Sequence, residues 1–131
     1  MAPLKHPHLV RMYGGVWSEG PDKLCLVLEY VDGGSLRGWL TPMKAGAWEN
    51  PRFGFAHGIA KCFRYLHLER PEPLIHRDLK PGNVLLTHEG RIKISDMGFS
   101  KRLTQGQSSF ETVSAGTTGL FCCCSRSLLL L

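Results

Sequence analysis

Two apolar runs rich in strand-forming residues, Tyr13 to Trp17 and Leu24 to Val31, flank Ser18-Glu19-Gly20-Pro21-Asp22. Gly20 and Pro21 are turn formers, so the pattern predicts a β-hairpin. Gly33 and Gly34 then interrupt the strand, and Ser35 can cap a short helix from Leu36 to about Leu40. Between residues 52 and 67, Phe55, Ile59, Phe63 and Leu66 recur at spacings of 4, 4 and 3. That is the period of a helix with one apolar face. Pro51 suits its first turn, while Pro71 and Pro73 prevent its continuation. Two short strand-like runs follow, Asn83 to Thr87 and Arg91 to Ser95, joined by His88-Glu89-Gly90. Gly90 can take the positive φ that such a turn requires. After Gly98 the pattern breaks down. Thr104 to Ser109 is polar and irregular, which predicts a mobile loop, with poor order expected from about Gln105 to the C-terminus. Helices and local hairpins without a repeat make this an α+β chain.

Charge and cysteine usage narrow the function. The chain has 131 residues and a formal charge of +5. Residues 1–60 carry 6 basic and 5 acidic side chains, and residues 61–131 carry 10 and 6, so the excess lies in the second half. No block of like charge and no basic stripe interleaved with aromatics occurs, so no nucleic-acid partner is expected. The five cysteines are Cys25, Cys62 and the run Cys122 to Cys124. An odd number without regular spacing is not a disulfide framework, and there is no paired Cys-x-x-Cys motif to bind zinc. Cys25 and Cys62 lie on apolar stretches and read as small core residues in a reducing, cytoplasmic compartment. The N-terminus has no apolar run suited to a signal peptide, and no window approaches a membrane span.

The chemistry concentrates in Leu74-Ile75-His76-Arg77-Asp78-Leu79-Lys80-Pro81-Gly82-Asn83-Val84-Leu85-Leu86, a polar cluster wedged between apolar runs. Asp96-Met97-Gly98 follows the second predicted hairpin, with Asp96 13 residues after Asn83. Phosphoryl transfer needs these residue types. Mg²⁺ takes hard oxygen ligands, such as the Asp96 carboxylate and the Asn83 amide oxygen. A carboxylate such as Asp78 can orient an acceptor hydroxyl and take its proton. Lys80 can offset charge on the transferring group. Gly98 is expected to allow a sharp turn after the metal ligand.

In that order and spacing, His76 to Asn83 resembles the catalytic loop of protein kinases, and Asp96-Met97-Gly98 is similar to their metal-binding Asp-Phe-Gly. The resemblance implies Asp78 as catalytic base, Lys80 as a contact to the γ-phosphate, and Asn83 and Asp96 as Mg²⁺ ligands. ATP is then the donor, and the Ser and Thr hydroxyls of protein substrates are the acceptors, because Lys80 is the form typical of Ser/Thr kinases. Met97 should fill the pocket of the usual Phe. Leu24 to Val31 resembles the strand leading into the kinase hinge, which implies Leu28 as gatekeeper and adenine contacts from the backbone of Glu29 and Val31. His6 to Val10, Gly33 to Leu36 and the helix ending Tyr65-Leu66-His67 fit the same family, with the flavour of its tyrosine-kinase-like group. Arg77 implies control by phosphorylation at Ser108, Ser109, Thr112 or Ser114, and Thr117 matches a loop threonine near the catalytic pair.

The expected architecture is a partial protein-kinase-like fold, the end of the small β lobe plus the first part of the helical large lobe, over residues 1–119. Residues 120–131 look like a foreign tail. No Gly-x-Gly-x-x-Gly run precedes Tyr13, and no Val-Ala-x-Lys strand is present. Neither Lys5 nor Lys23 has the context to replace that lysine, so slow transfer by this chain alone is expected. A catalytically dead, kinase-like interaction fragment is the alternative. A small-molecule kinase of the aminoglycoside or choline type shares the Asp-x-x-x-x-Asn loop, but Lys80 and the Asp-x-Gly form argue against it.

Overall fold

A computed structural model describes residues 4–17, 24–41 and 51–103. Strands β1 (Met12–Trp17) and β2 (Leu24–Leu28) form an antiparallel hairpin pairing Met12 with Leu28 and Trp17 with Leu24. Helix α1 (Leu36–Leu40) follows, and the Ser35 hydroxyl accepts from the Gly38 N–H at 3.3 Å, the N-cap expected of that residue. Helix α2 spans Arg52–Leu68, one residue beyond the expected end. Pro51 sits in the cap position rather than inside the first turn. The rest comprises β3 (Leu74–Ile75), a 3₁₀ turn at Pro81–Asn83, β4 (Val84–Leu86), β5 (Ile92–Ile94) and β6 (Lys101–Arg102). Strands β4 and β5 form the second expected hairpin, and Gly90 takes φ 76° in its turn. The pairing of β3 with β6 was not anticipated. It reclaims Lys101 and Arg102 from the stretch read as irregular, although two residues per strand carry no detectable period.

The core lies between α2 and the β4–β5 hairpin. Phe55, Cys62, Phe63 and Leu66 on α2 share one buried cluster with Ile92, Ile94, Val84 and Leu86. The segment before β1 joins this layer: Val10 N–H donates to Ile94 O and Ile94 N–H to His8 O, both at 2.9 Å, placing Leu9 in the core. Gly33 makes a second join. Its N–H donates to Leu86 O at 2.8 Å, and any Cβ there would lie 2.4 Å from that oxygen. Only glycine permits this approach.

The β1–β2 hairpin departs from expectation. The sequence reading places Cys25 in a core, yet nearly every side chain of the two strands is exposed, Trp17 by 77%. Cys25 is therefore exposed and not a core residue, because among the described residues no layer covers either face of β2. Strand β2 ends at Leu28 rather than Val31, since the chain then turns to bring Asp32 Oδ1 to the His88 N–H at 2.9 Å. The turn at 18–22 and the loop and tail from 104 onward fall outside the described residues. No described helix is long and apolar enough to cross a membrane.

Candidate active site

Strand β3 is fully buried and delivers the chain directly into His76, which has no exposed surface. The Asp78 N–H donates to His76 Nδ1 at 3.2 Å, so the proton sits on Nε2, which donates to Ser95 O at 2.9 Å. His76 thus ties the loop carrying Asp78 to the residue before Asp96. Arg77 adopts φ 66°, a conformation that side chains other than Gly, Asn and Asp rarely take. Its Nε donates to Phe99 O, which holds the loop against the segment after Gly98. Strain of this kind persists only where the surroundings enforce it, and it clusters at functional sites.

Asp78 is 3% exposed, and its carboxylate is held from two directions. Lys80 Nζ lies 2.7 Å from Oδ2, and Asn83 Nδ2 donates to the same oxygen and to the Asp78 carbonyl, both at 2.9 Å. These two acceptors fix the orientation of the Asn83 amide: its NH₂ belongs to Asp78, and Oδ1 is the atom left to meet a cation. The Asn83 N–H closes the 3₁₀ turn onto Lys80 O at 2.9 Å. The Asn83 carbonyl accepts from both the N–H and the hydroxyl of Ser95, at 2.8 and 3.0 Å. Three of the expected site residues are therefore joined by direct hydrogen bonds.

Asp96 joins them through the backbone. It follows directly on Ser95, takes φ 60° and is exposed, and its Oδ1 accepts from the Gly98 N–H at 3.3 Å. No hydrogen bond links its carboxylate to Asp78 or Asn83 among the described residues. The positive φ falls on Asp96 and not on Gly98, so the role expected of Gly98 is corrected. A Cβ at residue 98 would lie 3.1 Å from Asp96 Oδ1, and glycine is there for clearance. Met97 is half-buried against the core cluster.

The donor set suits a hard cation. Asn83 Oδ1 and the Asp96 carboxylate are oxygen ligands of the kind Mg²⁺ selects, and Mg²⁺ commonly completes its shell with water and substrate phosphates. Among the described residues no three His, Cys, Asp or Glu side chains cluster as a metal site, so phosphate oxygens would have to share the ion.

The expected hinge residues lie at the end of β2. Leu28 is half-exposed, the Glu29 N–H donates to Arg11 O at 2.8 Å, and Val31 is half-buried. The Glu29 side chain turns away to Lys93 on β5, with Nζ 2.7 Å from Oε1, and also accepts from the Arg11 N–H at 3.0 Å. Burial raises the Glu29 pKa, but the Lys93 and Arg11 hydrogen bonds outweigh this and hold it below its ordinary value. His76 enters the sequence reading only as part of the loop motif, without a role, and Lys93 does not enter it at all. For His76 the available signal was a polar residue directly after a wholly apolar strand. For Lys93 it was a charge alternating between Ile92 and Ile94.

Residues 1–121 match the family model described as protein kinase domain. A U-box domain-containing protein 52 of Arabidopsis thaliana is 38% identical over 121 residues, 90% of this chain and 14% of that protein. A probable LRR receptor-like serine/threonine-protein kinase of the same plant is 40% identical over 115 residues, 87% of this chain and 10% of its own length. A lectin-domain containing receptor kinase VI.4, also from Arabidopsis thaliana, is 38% identical, with 88% of this chain and 17% of that protein aligned. The chain thus spans less than a fifth of the length of these relatives.

Proposed function

The chain belongs to the protein kinase family, and from that premise we propose that residues 1–119 carry the hinge, catalytic loop and metal-binding residues of an ATP-dependent Ser/Thr protein kinase, with 120–131 a separate tail. The observation that carries this reading is the hydrogen-bonded set of Asp78, Lys80 and Asn83, joined through Ser95 to Asp96. ATP, when bound, would supply the phosphoryl group, and Mg²⁺ would neutralise charge on its phosphates. Asp78, fixed by Lys80 and Asn83, orients the acceptor hydroxyl and takes its proton. Lys80, 2.7 Å from Asp78, would offset charge on the transferring group. Asn83 Oδ1 and the Asp96 carboxylate would hold the metal. Leu28 would border the base, and the Glu29 carbonyl and Val31 N–H, which no backbone hydrogen bond among the described residues engages, would receive the adenine edge.

The serine/threonine preference is supported by Lys80 and by the name of the receptor-like relative. The unpaired Cys25 and Cys62 fit a reducing, cytoplasmic location. A second reading, a kinase-like binding module, draws on the exposed apolar side chains of β1 and β2. Transfer of label from γ-labelled ATP to a mixed protein substrate, measured with the chain joined to a glycine-rich loop and a lysine-bearing strand, separates the two. The kinase reading expects label on Ser and Thr and its loss in Asp78→Asn, by about 10³-fold or more. Label transfer unchanged in Asp78→Asn would remove Asp78 from the mechanism.

A further inference from the structure

We propose that Lys93 is a positioning residue for the adenine end of the nucleotide, acting by latching Glu29 to strand β5; the proposal rests on the reading of Glu29 and Val31 as the adenine edge. Glu29 is held on every polar group except the one that would face the base. Its N–H donates to Arg11 O at 2.8 Å, its Oε2 accepts from the Arg11 N–H at 3.0 Å, and Lys93 Nζ reaches Oε1 at 2.7 Å and Oε2 at 2.9 Å. With main chain and side chain both anchored, the direction of the Glu29 carbonyl is set. The side chains of Lys93 and Glu29 are only 16% and 24% exposed, so solvent screens the pair far less than a surface ion pair.

The position of Lys93 gives the latch its reach. Ile92 and Ile94 are buried in the core, and strand alternation turns Lys93 to the opposite face. Two residues further on, Ser95 binds Asn83, and Asp96 follows. A single short strand therefore holds the phosphate end through Ser95 and Asp96 and the base end through Lys93. The β1–β2 hairpin has no described layer on its faces to fix its angle, so this link, the neighbouring strand pairing at Leu9 and the Gly33 contact determine where the base edge sits.

The test measures the affinity of the full chain for Mg²⁺-ADP and for Mg²⁺-tripolyphosphate, which has no base. Lys93→Gln is expected to weaken ADP binding about tenfold and to leave tripolyphosphate unchanged. Lys93→Arg, which keeps a charged donor to the Glu29 carboxylate, should stay within about twofold of the parent. Equal losses for ADP and tripolyphosphate, or no loss for either, overturn the latch. Should the parent chain bind neither ligand, the reading of the site is what fails. Amide exchange then decides the latch on its own: faster exchange across β1 and β2 in Lys93→Gln supports it, and unchanged exchange overturns it.

Discussion

Gly98 has a φ outside the glycine-only region, yet it has no room for a side chain: a Cβ would come within 3.1 Å of Asp96 Oδ1. The carboxylate of Asp96 is the mobile partner in that contact, so Gly98→Ala should displace it rather than unfold the chain. We expect a few-fold loss of Mg²⁺-dependent nucleotide affinity with an unfolding midpoint close to the parent, read by fluorescence titration beside a urea melt. An unchanged affinity would show that Asp96 Oδ1 does not need the space. At this scale the sequence was most informative where partners are close along the chain. Asp78, Lys80 and Asn83 lie within one turn of loop, and their spacing alone announced a shared site. His76 and Lys93 act through Ser95 and Glu29, 19 and 64 residues away. Nothing local marks such a partner, and the role of each appears only once the β4–β5 hairpin and the hinge strand are in place.

Among the elements, α2 was legible because a strip of Phe55, Ile59, Phe63 and Leu66 repeats over a 17-residue helix, long enough for the 3.6-residue period to stand out. Leu66 has no exposed surface and faces the strands that carry the site. Leu66→Ala should cost about 2–5 kcal/mol of stability, seen as a lower urea midpoint with an unchanged slope. A loss below about 1 kcal/mol would mean that α2 does not hold this core. Strands β3 and β6 were illegible for the opposite reason, since two residues each have no period, and their pairing is set by where His76 and Phe99 must lie. The hairpin β1–β2 is legible as a hairpin, while the core position expected of Cys25 is not what the fold gives it. Strand propensity reports that a residue suits a pleated surface and says nothing of what lies against it.

For the whole molecule, the resolved titration shifts that bear on pH point one way. Burial lowers the pKa of His67, and burial together with nearby His8 lowers that of His6. A histidine held below its ordinary 6.5 takes up its proton more readily in the unfolded chain, so stability is full above that value and falls as the pH drops through it. Glu29 is also held low, so its contribution is present above the ordinary carboxylate range and is lost as the pH falls through its lowered value. Urea melts at about pH 7.5 and about pH 5.5 should therefore show the chain weaker at the lower pH through the histidines, with the Glu29 contribution lost only in stronger acid. Equal midpoints would mean that His67 is not buried as described.

Residues carried by separate elements must form one metal-dependent nucleotide site if Asn83 and Asp96 share a cation. The affinity of the chain for ATP, titrated with and without Mg²⁺, tests this directly when the parent is compared with Asp96→Asn. The structure predicts that Mg²⁺ strengthens binding to the parent by about tenfold or more, and that Asp96→Asn loses this gain while keeping the affinity seen without metal. A full Mg²⁺ gain in Asp96→Asn would contradict the assignment, because the metal would then be held by residues other than the set built around Asn83 and Asp96.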